Sequence, residues 1–328
     1  MRRTKLTGLT ILLIFAAALA AAQEIPFAPP TVTPPYDQIS FSEPVAGSDI
    51  PVDIMLLETY DGLLTPIGLR KPKGPGPFPI VLLFSGNGGA GIPAVRNYVH
   101  GPAGYTMNKF LEAGYAVAWV TYRAEAWFAY ETAQPLKVSH HEANQLLNRP
   151  PLEYNDLMAI IEDVRRLPFI DAKKVGLIGN SHGGGMILKA GAEGLDVAAA
   201  VVEEPDASEF LQLDPHVFDK EEADLHSMEL VTPHVNKKIA MERLHRIKVP
   251  LIFMNRDHDH MQGLFETASK WAQEAGLNPE HVSYNHDVHG YLLRVKQDGK
   301  GVYQPDPIQV KAIQQTIDFF NRHMAPAH

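Results

Sequence analysis

The segment Val175-Gly176-Leu177-Ile178-Gly179-Asn180-Ser181-His182-Gly183-Gly184-Gly185 constrains the fold more than any other stretch of the chain. An apolar run of strand length ends in Gly-x-Ser-x-Gly, and Met186-Ile187-Leu188-Lys189-Ala190 continues it with residues that suit a helix. Strand, sharp turn and helix in that order form the setting of a nucleophile elbow. Such a turn lifts Ser181 Oγ above a sheet, while Gly179 and Gly183 remove Cβ atoms that would clash there. At the head of a helix the serine also lies near the positive end of the helix dipole. The competing reading is an ordinary Gly/Ser-rich turn, so the remainder of the chain must supply partners for the hydroxyl.

Around this segment the pattern is one of alternating strands and helices. Strand character falls on residues 37–43, 52–60 and 63–69, with Asp61-Gly62 as a turn between the last two, which suggests an antiparallel N-terminal edge. From Phe78 onward a βα rhythm takes over. Residues 79–84 are a continuous apolar run of the kind buried on both faces of a parallel sheet. Further strands are expected at 116–122, 174–178, 197–202, 249–254 and 281–284, and helices at 105–113, 152–167, 264–275 and 307–320. The expectation is an α/β protein with a mostly parallel central sheet and helices on both faces. Two stretches fit no strand–helix unit, about 124–151 and 206–247. They are read as helical inserts near the active site.

The start of the chain resembles an export signal. Arg2, Arg3 and Lys5 precede a short apolar run over residues 9–19, and Ala20-Ala21-Ala22 offers a small-residue cleavage site. The run is shorter than the roughly 20 residues a membrane span needs. The domain reading is a signal peptide over 1–22, a proline-rich leader over 23–36 and a catalytic domain over 37–328, with a secreted or periplasmic destination. Stable membrane insertion after cleavage is not expected. The chain contains no cysteine, so disulfides, thiolate nucleophiles and thiolate metal sites are excluded. Residues 1–22 carry three positive charges and no negative ones, so their loss takes the formal net charge from -9 to -12. An acidic protein of this kind argues against nucleic acid as a partner.

A serine nucleophile needs a base, a group that orients the base, and donors for the developing oxyanion. In a sheet of this type the chain order is Ser, acid, His. After Ser181, the apolar Pro250-Leu251-Ile252-Phe253-Met254 runs into Asn255-Arg256-Asp257-His258-Asp259-His260. Asp259 is preferred as the acid because it lies far enough past the strand to reach the rim; Asp257 is the alternative. One strand later comes Asn285-His286-Asp287-Val288-His289-Gly290-Tyr291, where His289 is favoured over His286 by its distance from the strand. The chain has 15 histidines, so order and location carry this choice, not residue type. Oxyanion donors are sought in the N–H of His182 and in the loop Ser85-Gly86-Asn87-Gly88-Gly89-Ala90-Gly91, with Asn87 as the second donor. Gly88 of that loop, with Trp127 and Phe128, are candidate substrate contacts.

The glycine loop, Gly-Asn-Ser-His-Gly-Gly, the aspartate after "VPLIFMN" and the late His-Gly resemble the α/β-hydrolase superfamily. Within it the chain looks most like dienelactone-hydrolase-type esterases and the catalytic domain of prolyl-oligopeptidase-type serine peptidases. The resemblance runs from about Val52 to the C-terminus. It implies Ser181 as nucleophile, Asp259 as acid, His289 as base, and no cofactor. Two departures favour an esterase over a peptidase. The residues before the first strand are too few for the gating propeller of the peptidases, and Asn87 stands where those enzymes often have a tyrosine donor. The expected substrate is a small ester, with a short peptide as the alternative.

Two other classes of protein fit the chain less well. Asp257-His258-Asp259-His260 and Ser139-His140-His141-Glu142 contain metal-ligand types, but neither has a known zinc spacing. A binding module that has lost catalysis would keep the fold, yet all three polar members are present here. Glu203, Glu204 and Asp206 follow an expected strand end and are read as solvated surface acids rather than as contacts for a substrate ammonium.

Overall fold

Phe78–Phe84, seven residues without a charge, form β4 at the middle of a nine-stranded sheet, and Pro79 through Phe84 are all buried. The computed structural model describes residues 39–84, 86, 91–122, 149–214, 217 and 225–326, all of them within the compact unit Pro34–His328. The other strands are β1 (Ile39–Glu43), β2 (Val52–Glu58), β3 (Leu64–Arg70), β5 (Ala116–Val120), β6 (Ile170–Asn180), β7 (Ala199–Glu203), β8 (Leu251–Arg256) and β9 (Glu280–Tyr284). Their order across the sheet is β1-β2-β3-β5-β4-β6-β7-β8-β9. The pairings β1–β2, β2–β3 and β3–β5 are antiparallel, and the five from β5 across to β9 are parallel. The antiparallel N-terminal edge and the parallel remainder both follow the sequence pattern.

Helices are α1 (Gly91–Val99), α2 (Gly104–Glu112), α3 (Arg149–Arg165), α4 (His182–Ala192), α5 (Met228–Val231), α6 (Lys237–Leu244), α7 (Gln262–Glu274) and α8 (Pro307–Met324). They cover both faces. Ile80, Leu82 and Phe84 of β4 share a core with Ile160, Ile187, Leu244 and Ala268 of α3, α4, α6 and α7. Val81 and Leu83, on the opposite face, share one with Val95, Phe110 and Phe320 of α1, α2 and α8. This alternation is what a continuous apolar strand requires when both faces are covered. The fold is that of the α/β hydrolases.

Helix α8 shows how local chemistry sets an element. Asp306 accepts from the N–H groups of Ile308 (2.8 Å) and Gln309 (2.9 Å), while the Gln309 side chain accepts from the Asp306 N–H at 3.2 Å. Pro307 occupies the first turn, where its missing N–H costs nothing. Helix α1 was not foreseen, because Gly91, Pro93 and the β-branched Val95 and Val99 weaken a helical signal. The stretch 206–247 is not a separate insert where it is described. It supplies the connection from β7 to β8, with α5 and α6, and buries Phe210, Leu211, Val231, Ala240 and Leu244 in the main core. The other stretch read as an insert lies outside the described residues up to the start of α3. None of the described helices is long and apolar enough to cross a membrane.

Strand order locates the site. From β4 the chain first adds β5 on one side and then returns to add β6 on the other. At such a reversal the connections leave in opposite directions and open a crevice at the carboxyl ends of the two strands. Phe320 holds the back of this region, its ring 5.9 Å from that of Phe110, with Gly176 of β6 leaving it room. Phe320→Ala is expected to cost about 3–5 kcal/mol of stability. Urea unfolding followed by circular dichroism checks this.

Candidate active site

Strand β6 ends at Asn180 and α4 begins at His182, so Ser181 alone makes the bend. Its φ of 53° and ψ of -116° place an L-residue in a conformation that costs on the order of 1–3 kcal/mol. Neighbouring backbone holds it there. The Ser181 N–H donates to Glu203 O (2.9 Å), and its carbonyl accepts from the N–H groups of Asp206 (2.8 Å) and Gly185 (3.1 Å). A Cβ at Gly179 would lie 2.4 Å from Gly183 O, so only glycine fits two residues before the serine. A Cβ at Gly86 would lie 3.1 Å from Ser181 Cβ, which puts Gly86, two residues after β4, directly beside the nucleophile candidate. The first N–H groups of α4, that of His182 included, have no acceptor within the helix.

Asp259 and His289 come together as the sequence order requires. His289 Nδ1 lies 2.8 Å from Asp259 Oδ2. Asp259 is buried and also accepts from the Met261 N–H at 2.8 Å through Oδ1 and from Arg256 Nε at 2.8 Å through Oδ2. A second carboxylate reaches the same imidazole nitrogen: Glu204 Oε2, at 2.9 Å. Both partners are acceptors, so Nδ1 carries a proton in either charge state, and Nε2 is the acceptor once the ring is neutral. Burial works against the charged imidazolium, but the hydrogen bonds to Asp259 and Glu204 outweigh it and push the His289 pKa up to about 9. Burial likewise opposes the Asp259 carboxylate, and the His289 and Met261 donors still bring its pKa down to about 2.

The loop that carries His289 packs closely against the end of β6. Gly290 has a φ of 77°, and a Cβ there would lie 2.8 Å from Asn180 Oδ1, next to Ser181 in the chain. The Gly290 N–H donates to Glu204 Oε2 (2.6 Å), and the Leu292 N–H donates to Glu203 Oε1 (2.7 Å). Arg256 Nη1 reaches the carbonyls of His286 and Asp287 at 3.3 Å. Three separate elements therefore tie residues 286–292 in place.

The alternatives left open by the sequence have other tasks. The Asp257 carboxylate takes the hydroxyl of Ser283, and His286 pairs with Asp306 at 2.7 Å while its Nδ1 accepts from the Val288 N–H. His258, with φ of 62°, bends the chain between the two aspartates. The His182 ring bonds to the buried Glu153 and stands edge-on to Tyr122. Asn87, Gly88, Trp127 and Phe128 lie outside the described residues. One expectation is overturned. Glu203 and Glu204 are not solvated surface acids but fully buried, and Glu204 contacts the imidazole. Burial, then the neighbouring Glu204, raises the Glu203 pKa well above the usual carboxylate range.

Among the described residues, Asp259, His260 and His289 offer three ligand atoms within 4.8 Å of one another. Asp259 and His289 already bond to each other, and Arg256 sits on the same Asp259 oxygen. A guanidinium in that place competes with a cation for the carboxylate, so the group reads as a hydrogen-bonded network.

Comparison with known proteins agrees with this class of site. Residues 105–327, well over half of the chain, match the model of the prolyl oligopeptidase family. The chain belongs to that family, which is one of serine hydrolases. Among solved structures, Pyrococcus horikoshii acylaminoacyl peptidase superposes with a TM-score of 0.57 at 18% identity, over 86% of this chain and 43% of that one. Carboxyl esterase 2 from the mycorrhizal fungus Tuber melanosporum gives 0.57 at 16% identity, over 85% and 89%. The Pyrobaculum calidifontis esterase gives 0.55 at 15% identity, over 87% of each chain. The chain thus spans less than half of the peptidase and most of each esterase. No curated protein matches it significantly.

Gly290→Ala tests how tightly the base loop must be held, because the variant meets both the left-handed φ and the Asn180 amide. Displacement of the imidazole by about 1 Å is expected to lower kcat/KM for nitrophenyl acetate about 100-fold. The thermal unfolding midpoint, measured in parallel, separates this from loss of fold.

Proposed function

We propose that the chain is an exported serine hydrolase that cleaves carboxylic esters through an acyl-enzyme, with Ser181 as nucleophile, His289 as base and Asp259 as orienting acid. The observation that carries the proposal is the His289–Asp259 pair, whose loop packs at Gly290 against Asn180, the residue that precedes Ser181. In this reading His289 Nε2 takes the Ser181 proton as Oγ attacks the ester carbonyl. Asp259 keeps the Nδ1 proton in place and stabilises the imidazolium that forms. The His182 N–H and a donor at Asn87 stabilise the tetrahedral oxyanion, each by about 3 kcal/mol. His289 then gives its proton to the leaving alkoxide, activates water, and the acyl group departs.

Small esters are favoured because the chain is similar to the two esterases along most of their length. A second reading, cleavage of short peptides or aminoacyl amides, is favoured by membership of the prolyl oligopeptidase family. Nitrophenyl esters of increasing chain length, assayed beside peptidyl-proline and aminoacyl amides, separate the two. Higher kcat/KM for esters is expected, and a large preference for amides overturns the choice.

Ser181→Ala and His289→Ala are expected to abolish turnover without unfolding, and a fluorophosphonate probe is expected to label Ser181 alone. Retained activity in either variant rejects the assignment. The pH profile follows from the raised His289 pKa. A base must be unprotonated to act, so kcat/KM should fall as pH drops below about 9 and reach its plateau above it. An acid limb near the ordinary histidine value contradicts this.

A further inference from the structure

The sequence order assigns one acid to the base, yet two carboxylate oxygens meet His289 Nδ1 at nearly equal distances, Asp259 Oδ2 at 2.8 Å and Glu204 Oε2 at 2.9 Å. They arrive from different strands, Glu204 directly after β7 and Asp259 three residues after β8. We propose that Glu204 is a second orienting carboxylate for the base, so that Glu204 and Asp259 hold one imidazole proton between them and either suffices to keep His289 in its working tautomer. The proposal rests on the assignment of His289 as base.

Three features of Glu204 support a dedicated role. It is fully buried, where an unused carboxylate would carry a large desolvation penalty. Its backbone has a φ of 44°, a left-handed conformation that glycine or asparagine would adopt at lower cost, so its side chain is kept against local preference. Its Oε2 accepts from the Gly290 N–H as well as facing Nδ1, and so fixes both the ring and the backbone that bears it. A residue needed only to fill space would not require charge at this point.

The charged and titratable groups around His289 come from every element packed on it. Asp259 and Glu204 face Nδ1, and Arg256 of β8 lies behind them, with Nε 2.8 Å from Asp259 and 3.6 Å from Glu204. The His260 ring stands 5.4 Å from the His289 ring, and Glu203 holds the Leu292 N–H three residues along the loop. With a second carboxylate in reach, Asp259→Asn has a different consequence here from that in a site with one acid. An asparagine amide can present N–H to Nδ1 and force the wrong tautomer, which costs about 10⁴ in kcat where the aspartate is the sole acceptor. Here Glu204 still accepts the Nδ1 proton.

The experiment compares Asp259→Asn, Glu204→Gln and the double variant, with kcat/KM for nitrophenyl acetate followed from pH 5 to 10. Gln at 204 keeps an acceptor for Gly290 and removes only the charge. Glu204→Gln alone is expected to lose no more than about 10-fold, Asp259→Asn about 10–100-fold, and the double variant, which leaves the base without a carboxylate, about 10⁴-fold, more than the product of the single losses. Glu204→Gln removes a negative neighbour from the imidazole, so its acid limb should move to lower pH by about one unit or more. A carboxylate 2.9 Å from Nδ1 acts on the imidazole through its charge, so the moved limb shows that the charge is felt, and the Asp259→Asn and double-variant rates show that it orients the ring. A loss of about 10⁴-fold in Asp259→Asn alone, or an unmoved limb in Glu204→Gln, overturns the proposal. Should Glu204→Gln fail to fold, the Asp259→Asn value decides by itself. An active His289→Ala variant would instead reject the base assignment, a result distinct from either.

Discussion

Burying carboxylates is unfavourable unless each is bonded to something charged or strongly polar, and the end of β7 is built on that constraint. Within Glu203–Asp206 the backbone clamps the bend at Ser181, through Glu203 O and the Asp206 N–H. The side chains of the same segment hold the base loop, Glu203 at Leu292 and Glu204 at Gly290 and His289. One short piece of chain therefore sets the separation between the nucleophile strand and the base. The strained turn at Ser181 and the left-handed backbone at Glu204 are both stabilised by this reciprocal bonding, since neither conformation is favoured locally.

Where determinants are local, the sequence displays them. The glycines around Ser181 are dictated by contacts within a few residues, such as Gly179 against Gly183, and the apolar strands are continuous runs because both faces are covered. The order Ser, acid, His is likewise a property of the chain. What was hidden depends on distant contacts. Two glutamates after a strand look like ordinary solvated acids, and only the packing of the 290–292 loop over them makes them buried. The choice between Asp257 and Asp259 turned on the bend at His258, for which the residue type gives no signal. Helix α1 was missed for the opposite reason: its composition resists a helix, and tertiary burial of Val95 and Val99 overrides that.

Family and fold bear on substrate in different ways. Membership of the prolyl oligopeptidase family fixes the class of chemistry, while the structural neighbours at 15–18% identity speak to fold alone. Substrate choice in such a fold is set by what lies over the carboxyl ends of the strands. Here that region includes the crevice between β4 and β6, beside Gly86 and the bonded pair His182 and Glu153. His182 follows Ser181 directly, and its ring is held by a buried acid and set edge-on to Tyr122.

The charges around the base explain its raised pKa without special pleading. Asp259 and Glu204 set two carboxyl groups on His289 Nδ1, and the Arg256 guanidinium lies behind both. In the proposed reaction a site of this kind is preorganised for the imidazolium that forms as the serine proton is transferred. The same two carboxylates push the imidazole pKa up to about 9, which favours its charged form at neutral pH. Arg256 limits that effect by drawing on both carboxylates at once. Its contacts to the carbonyls of His286 and Asp287 mean that the group which tempers the base also anchors the loop that carries it. Arg256 thus contributes to both the charge balance and the geometry of this site.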